Sequence, residues 1–198
     1  RILDQVVAPR LGKGTSYASD GKVLPVPNRY YAAFARWNQL AILKHTRDFR
    51  EIKALARQAL SPERLEAFVE LLEHDHGYQL YRAVSAAKEA LSVADETPFR
   101  FAAGRIAIDA RIARADFERW IAPELQAVEQ ALEQALDAAG RPPIDRVFLT
   151  GGSSFVPAVR RLFTDRFGAD RIESGGEFES IAAGLALMGA EASQALAA

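Results

Sequence analysis

At 198 residues, 49% hydrophobic and 26% charged, the chain has the composition of a globular protein large enough to bury a core. A formal net charge of −1 removes the electrostatic argument for nucleic acid or an anionic membrane, and the lack of cysteine excludes disulfides and thiolate metal sites. With no bilayer-length apolar run and no charged-then-apolar leader, a cytoplasmic location is expected.

The chain opens on Arg1 inside a helical pattern over residues 1–11, with Ile2, Leu3, Val6 and Val7 on one face, and so reads as a segment of a longer protein. Gly12 and Gly14 end that helix, and residues 12–27, rich in Gly, Ser, Asp and Pro, are expected to form a loop. Gly12-Lys13-Gly14-Thr15 has part of a phosphate-loop spacing but neither the first glycine nor a preceding strand. Asn28 caps a helix predicted over 29–44, on which Tyr30, Tyr31, Phe34, Trp37 and Leu40 recur at helical spacing. Such a stripe serves either as core or as an aromatic groove for a protein partner.

Helices are predicted over 48–59 and from Ser61-Pro62 to Glu73, the second burying Leu65, Phe68, Leu71 and Leu72. His74-Asp75-His76 has ligand chemistry, but residues i and i+2 do not share a helix face, and a solvated helix end is expected. From Tyr78 to Ser92, Leu80, Val84, Ala87 and Leu91 share a buried face, while Tyr81, Ser85, Lys88 and Ser92 form a stripe beside it. Hydroxyls around an ammonium can bond a ribose and a base edge; a lysine on a solvated face is the alternative. Phe99 and Phe101, then Ile106, Ile108, Ala110 and Ile112, alternate about Gly104 and predict a hairpin over 98–113. A long helix follows over 115–139, kinked at Pro123, with Phe117, Ile121, Leu125, Val128, Leu132 and Leu136 inward. Gly140 and Pro142-Pro143 stop it.

The stretch Arg146 to Pro157 organises the rest. Val147, Phe148 and Leu149 have the character of a buried strand. Gly151-Gly152 lets the backbone turn sharply and lets a ligand approach, and Ser153 or Ser154 can cap a helix whose first turn tolerates Pro157. A strand, a glycine turn and a helix N-terminus suit an anion, although the same turn occurs as plain structure. Val156, Val159, Leu162 and Phe163 face inward on that helix, and 171–173 forms a short strand. Gly175-Gly176 precedes a last helix, where Gly184 implies close helix packing, before an Ala-rich tail from Ala190 that frays.

The wording of Leu149-Thr150-Gly151-Gly152-Ser153 with Pro157 resembles the adenosine-side motif of the actin-like ATPases, most closely the DnaK-type heat-shock chaperones. The resemblance continues through Glu177-Phe178-Glu179-Ser180-Ile181-Ala182-Ala183-Gly184-Leu185-Ala186. It reaches upstream to Ala87-Lys88-Glu89-Ala90-Leu91-Ser92 and Ile112-Ala113-Arg114-Ala115-Asp116-Phe117-Glu118, four blocks in family order over about residues 78–190. Residues 1–77 resemble the more divergent YegD-type branch.

The resemblance implies an α/β (α+β) fragment of a ribonuclease H-like, actin-like ATPase lobe. Residues 1–11 and 140–198 would form the core portion, and 12–139 an inserted helical and hairpin subdomain. It implies ATP or ADP as ligand, cradled by Gly151, Gly152 and Ser153 and closed over by Lys88, Ser92 and Ser85. Ser85 stands where the family has an acid, and Glu89 where it has an arginine. Phe155 occupies the place of an arginine that stacks on adenine; its ring can stack there, worth about 1–3 kcal/mol, or pack in the core. Neither Asp-x-Gly-Thr loop of the family is present, so Mg2+ and catalysis are expected only with the rest of the protein. A second reading keeps the fold without the nucleotide and uses residues 29–44 to bind a protein client or exchange factor. A sugar-kinase or filament-forming relative fits the Arg114-Ala115-Asp116-Phe117-Glu118 block less well.

Overall fold

The computed structural model describes residues 1–35, 37–173, 182 and 184–188. They fall into two compact units, Arg1–Trp120 and Ile121–Ala198. None of the described helices is long and apolar enough to cross a membrane.

The first unit begins with a π-helical segment Leu3–Val7 that tightens into a 3-10 segment Ala8–Leu11. Of the predicted apolar face, Ile2 and Val7 are buried and Leu3 and Val6 half-buried; Ala8 and Leu11 are buried as well, and the turns are not regular α-helix. Residues 12–27 are not a loop. Ser16–Ser19 (β1) and Lys22–Pro25 (β2) pair antiparallel around Asp20-Gly21, both at positive φ. An Asp-Gly turn between short strands is a hairpin signal, and it outweighs the loop-like composition. The far edge of β1 is bonded by Ala18 N–H to the Gln58 carbonyl, and its Ser16 carbonyl accepts Leu60 N–H, each at 2.9 Å.

The predicted aromatic helix is a 3-10 segment, Asn28–Ala35, and a short helix, Trp37–Leu43 (α1). Arg47–Ala56 (α2), Pro62–Glu73 (α3) and Gly77–Val93 (α4) follow near their predicted bounds. α3 buries Leu65, Phe68, Leu71 and Leu72, and α4 buries Leu80, Val84, Ala87 and Leu91. Tyr31 stacks on Phe34 and Phe68 with centroids 5.9 and 5.0 Å apart, and its hydroxyl donates to the Leu11 carbonyl at 2.8 Å. Glu96–Ala103 (β3) and Ile106–Ala113 (β4) form the predicted hairpin, with Phe101 opposite Ile108. Its buried face of Phe99, Phe101, Ile106, Ile108 and Ile112 follows the period of two.

Arg114–Ala138 (α5) is continuous through Pro123. Phe117 is its one buried residue, and Arg114 donates to the Leu91 carbonyl at 2.9 Å within the first unit. The stripe from Ile121 to Leu136, predicted to face inward, is only half-buried, with Val128 exposed.

In the second unit Val147–Phe148 (β5) runs parallel to Ile172–Glu173 (β6), with Val147 opposite Ile172. Pro157–Phe167 (α6) forms the crossover that a parallel pair demands. Glu133 on α5 accepts from Arg166 on α6 at 2.8 Å and from Arg141 at 3.0 Å. These guanidinium groups, Arg166 first, hold the Glu133 carboxyl below the usual carboxylate range. Leu149 is buried, but Phe148 is 67% exposed, against the expectation of a fully buried strand. Gly184 lies in helical residues 184–188, and a Cβ there would meet nothing within 4 Å, so close packing does not account for it among the described residues. Gly175-Gly176, most of the block from Glu177 to Ala183 and the tail from Ala190 lie outside the described residues.

Candidate functional site

The glycine turn is built by the order β5, turn, α6. Gly151 takes φ 81 and ψ 161, a conformation open to glycine, and a Cβ there would meet no atom within 4 Å. Residues Gly152–Phe155 then make one 3-10 turn, Val156 is extended, and Pro157 starts α6 at its first position. The serines do not cap α6. Ser154 is buried and sends both its N–H (3.0 Å) and its hydroxyl (2.6 Å) to the Gly151 carbonyl, closing the turn on itself. Val156 occupies the cap position without a side-chain bond. Ser153 and Gly152 are exposed, and Phe155 is 43% exposed. Of its two sequence readings, core packing is the one that this exposure disfavours. The turn therefore offers a backbone closed by Ser154, an exposed hydroxyl at Ser153 and a part-exposed aromatic ring.

The second set of candidate residues lies on α4, in the first unit. Burial of Leu80, Val84, Ala87 and Leu91 leaves Ser85 and Lys88 exposed and Ser92 half-exposed on the adjoining ridge. Tyr81, in the same stripe, is committed elsewhere: its hydroxyl donates to the Phe34 carbonyl. Ser92 donates locally to the Glu89 carbonyl at 2.5 Å, and its oxygen still has acceptor capacity. Lys13, Lys44 and Lys53 are ion-paired with Asp4, Asp75 and Glu73 respectively. Lys88 has no ion pair among the described residues, so its ammonium is free to meet an anion. Gly151, Gly152, Ser153 and Phe155 belong to one compact unit, and Ser85, Lys88 and Ser92 to the other.

Other motifs resolve as structure. Lys13 pairs with Asp4, and the Thr15 hydroxyl donates to the Gly12 carbonyl at 2.6 Å, which makes Gly12–Thr15 a helix-ending turn. His74 and His76 lie with ring centroids 5.8 Å apart around Asp75, whose carboxyl is held below its usual range chiefly by Lys44. Tyr30, Tyr31, Phe34 and Leu40 are buried, which assigns the aromatic stripe to the core; the Trp37 side chain lies outside the described residues. Sequence periodicity missed a cavity of ≈ 260 Å3 bounded by Leu40, Leu71, Leu72 and Tyr78, with Asp75 at its rim. No local pattern announces it, because its walls come from three helices.

Comparison with known proteins places these features in context. The model of the family described as Hsp70 protein matches residues 69–195. The chain is 33% identical over 133 residues to the chaperone protein DnaK of Thermus thermophilus, covering 66% of this chain and 20% of that protein. It is 37% identical over 82 residues to the chaperone protein DnaK of Deinococcus proteolyticus, and 38% identical over 82 residues to that of Deinococcus radiodurans. Each of these two matches covers 40% of this chain and 13% of the relative. The chain thus spans a fifth or less of the length of these relatives.

Proposed function

The chain belongs to the Hsp70 family, and on that premise we propose that it is the adenosine-binding part of the nucleotide-binding domain of a chaperone-type ATPase. Gly151, Gly152 and Ser153 lie along the ribose and inner phosphates in this reading, Phe155 stacks on the base, and Lys88, Ser92 and Ser85 close over it. The ligand is ATP or ADP. The observation that carries the reading is the turn itself: Gly151 at φ 81 with open space in place of a side chain, between a parallel strand and a proline-led helix. Phe155 at 43% exposure and an unpaired, exposed Lys88 support it.

The finer assignments belong to the same proposal. The fold is a ribonuclease H-like lobe portion, with 1–11 and 140–198 as core, 12–139 as insert, and the first 77 residues of a YegD-like type. Mg2+ accompanies the nucleotide, but none of the residues assigned here is a carboxylate that would hold it. The bound adenine nucleotide contributes the phosphate chemistry; these residues contribute orientation and exclusion of water from the base. Ser85 and Glu89 replace the charges that the family resemblance leads one to expect, and the affinity is correspondingly lower. Clients and exchange factors are partners of the whole protein.

Binding of ATP and ADP to the complete protein, followed by calorimetry, tests the reading. Gly152→Glu, which puts a carboxylate beside the phosphates, and Lys88→Glu, which removes a charge-assisted contact, are each expected to lower affinity at least about tenfold. Unchanged affinity in both variants would defeat the proposal. The reading as a nucleotide-free interaction module has less support, because Tyr30, Tyr31 and Phe34 are buried and offer no aromatic groove.

A further inference from the structure

The second compact unit holds a cluster that the adenosine reading does not use. Three arginines from separate segments line one cavity of ≈ 250 Å3: Arg141 after α5, Arg166 in the last turn of α6, and Arg171 just before β6. Leu136, Pro142 and Phe167 supply apolar wall, and among the described residues no acidic one lines the space.

Each guanidinium is held by a neighbouring group. Arg141 bonds Asp137 at 2.6 Å and Glu133 at 3.0 Å. Arg166 bonds Glu133 through Nε at 2.8 Å, and its guanidinium lies 5.6 Å from the Phe167 ring centroid. Arg171 donates from one Nη to the Ile144 carbonyl at 3.1 Å. A guanidinium carries five N–H donors. The bonds formed among the described residues use one nitrogen of Arg166 and one of Arg171, leaving the rest of both forks available.

The backbone adds an independent observation. Arg141 sits at φ 52, a left-handed conformation disfavoured for a residue with a side chain. Glycine would occupy that position with less strain, yet the residue is an arginine that lines the cavity. Strain of this kind points to a use for the side chain.

We propose that this cavity is an oxyanion-binding site, in which a phosphate or carboxylate group is held by the open forks of Arg166 and Arg171 and by the remaining N–H groups of Arg141. Bidentate guanidinium contacts fit both groups, and the bonds of Arg141 and Arg166 to carboxylates and of Arg171 to a carbonyl hold the side chains before the ligand arrives. The site is separate from the residues assigned to the nucleotide.

The test is calorimetric titration of the chain with pyrophosphate and, separately, with succinate, accompanied by thermal melts of each variant. Saturable single-site binding of at least one probe is expected. Arg171→Ala should weaken it about tenfold or more, as should Arg141→Gly, which suits the left-handed backbone and so keeps the fold. Arg171→Lys should weaken it as well, because it keeps the charge but loses the fork. Gly152→Glu and Lys88→Glu should leave it unchanged, which separates this site from the proposed nucleotide site. Pyrophosphate binding without succinate binding assigns phosphate, and the reverse assigns carboxylate. The proposal is overturned by no saturable binding of either probe, by affinity unchanged from the parent chain in folded Arg171→Ala and Arg141→Gly, or by loss of binding in Gly152→Glu.

Discussion

The two compact units differ in how much of their apolar side-chain surface they bury. Up to Trp120, helices and hairpins put aromatic and branched side chains into a closed core centred on Phe68, Tyr31, Phe34 and Phe99. Beyond Ile121, Leu149 and Ala158 are the buried apolar residues among those described, while Phe148 is 67% exposed. The first unit can therefore be held by hydrophobic burial, at roughly 25 cal/mol per Å2. The second leans on polar order: the Ser154 bonds to Gly151, the parallel pair of two-residue strands and the Arg166–Glu133–Arg141 clamp. A region organised in that way can present backbone and charged groups to a ligand, because few of its described side chains are buried.

The sharpest way to break this contrast is Phe68→Ala. The ring is fully buried and stacked on Tyr31, and truncation should cost about 3–5 kcal/mol, read by urea denaturation through Trp37 and Trp120, both in the first unit. A loss under about 1 kcal/mol would mean that the first unit has no tight core.

Next in size is a pair of glycine substitutions. At Gly12, φ is 94 and a Cβ would lie 2.6 Å from Leu65 Cδ2, so Gly12→Ala combines strain with a clash and should cost about 2–3 kcal/mol. Gly151 has the strain without the clash, and Gly151→Ala should cost about 1 kcal/mol. Equal losses would remove the distinction between a packed and an open glycine.

Titration should separate the units by direction. Burial first, then the bond to Glu51, pushes the Tyr30 hydroxyl up to about 12, and the sequence has its five tyrosines before residue 121. A raised folded-state pKa gives stability that is complete below the ordinary tyrosine value of about 10 and is lost as pH rises through the raised value. Between about pH 10 and 12, amide exchange should quicken in the first unit ahead of the second. Acid acts on both. Glu133 and, in the first unit, Glu51 have lowered pKa values, so their contributions are present above the usual carboxylate range and fade as pH falls through the lowered values. The smallest effect is expected at Phe148→Ala, within about 0.5 kcal/mol, because an exposed ring gives up little burial. A loss like that of Phe68→Ala would show Phe148 to be core.

Much of the first unit was legible from local pattern. α3, α4 and the β3–β4 hairpin lie where periodicities of 3.6 and 2 put them, because each buries one face and each period is a property of a single element. The β1–β2 hairpin was legible as well, in Asp20-Gly21, but composition masked it. The glycine turn was readable as a motif, and its Gly151 conformation follows from the residue type.

The amino-acid order by itself determined α2, α3, α4 and α5, the long hairpin and the family to which the chain belongs. Tertiary structure alone decided that Ser154 closes the turn instead of capping α6, that Tyr81 leaves the α4 ridge to bond Phe34, and that Phe148 stays exposed. It alone brought Arg141, Arg166 and Arg171 to one cavity. The physical reason is range: periodicity and turn chemistry act over a few residues, whereas exposure and the choice of hydrogen-bond partner depend on which distant segments arrive beside a side chain.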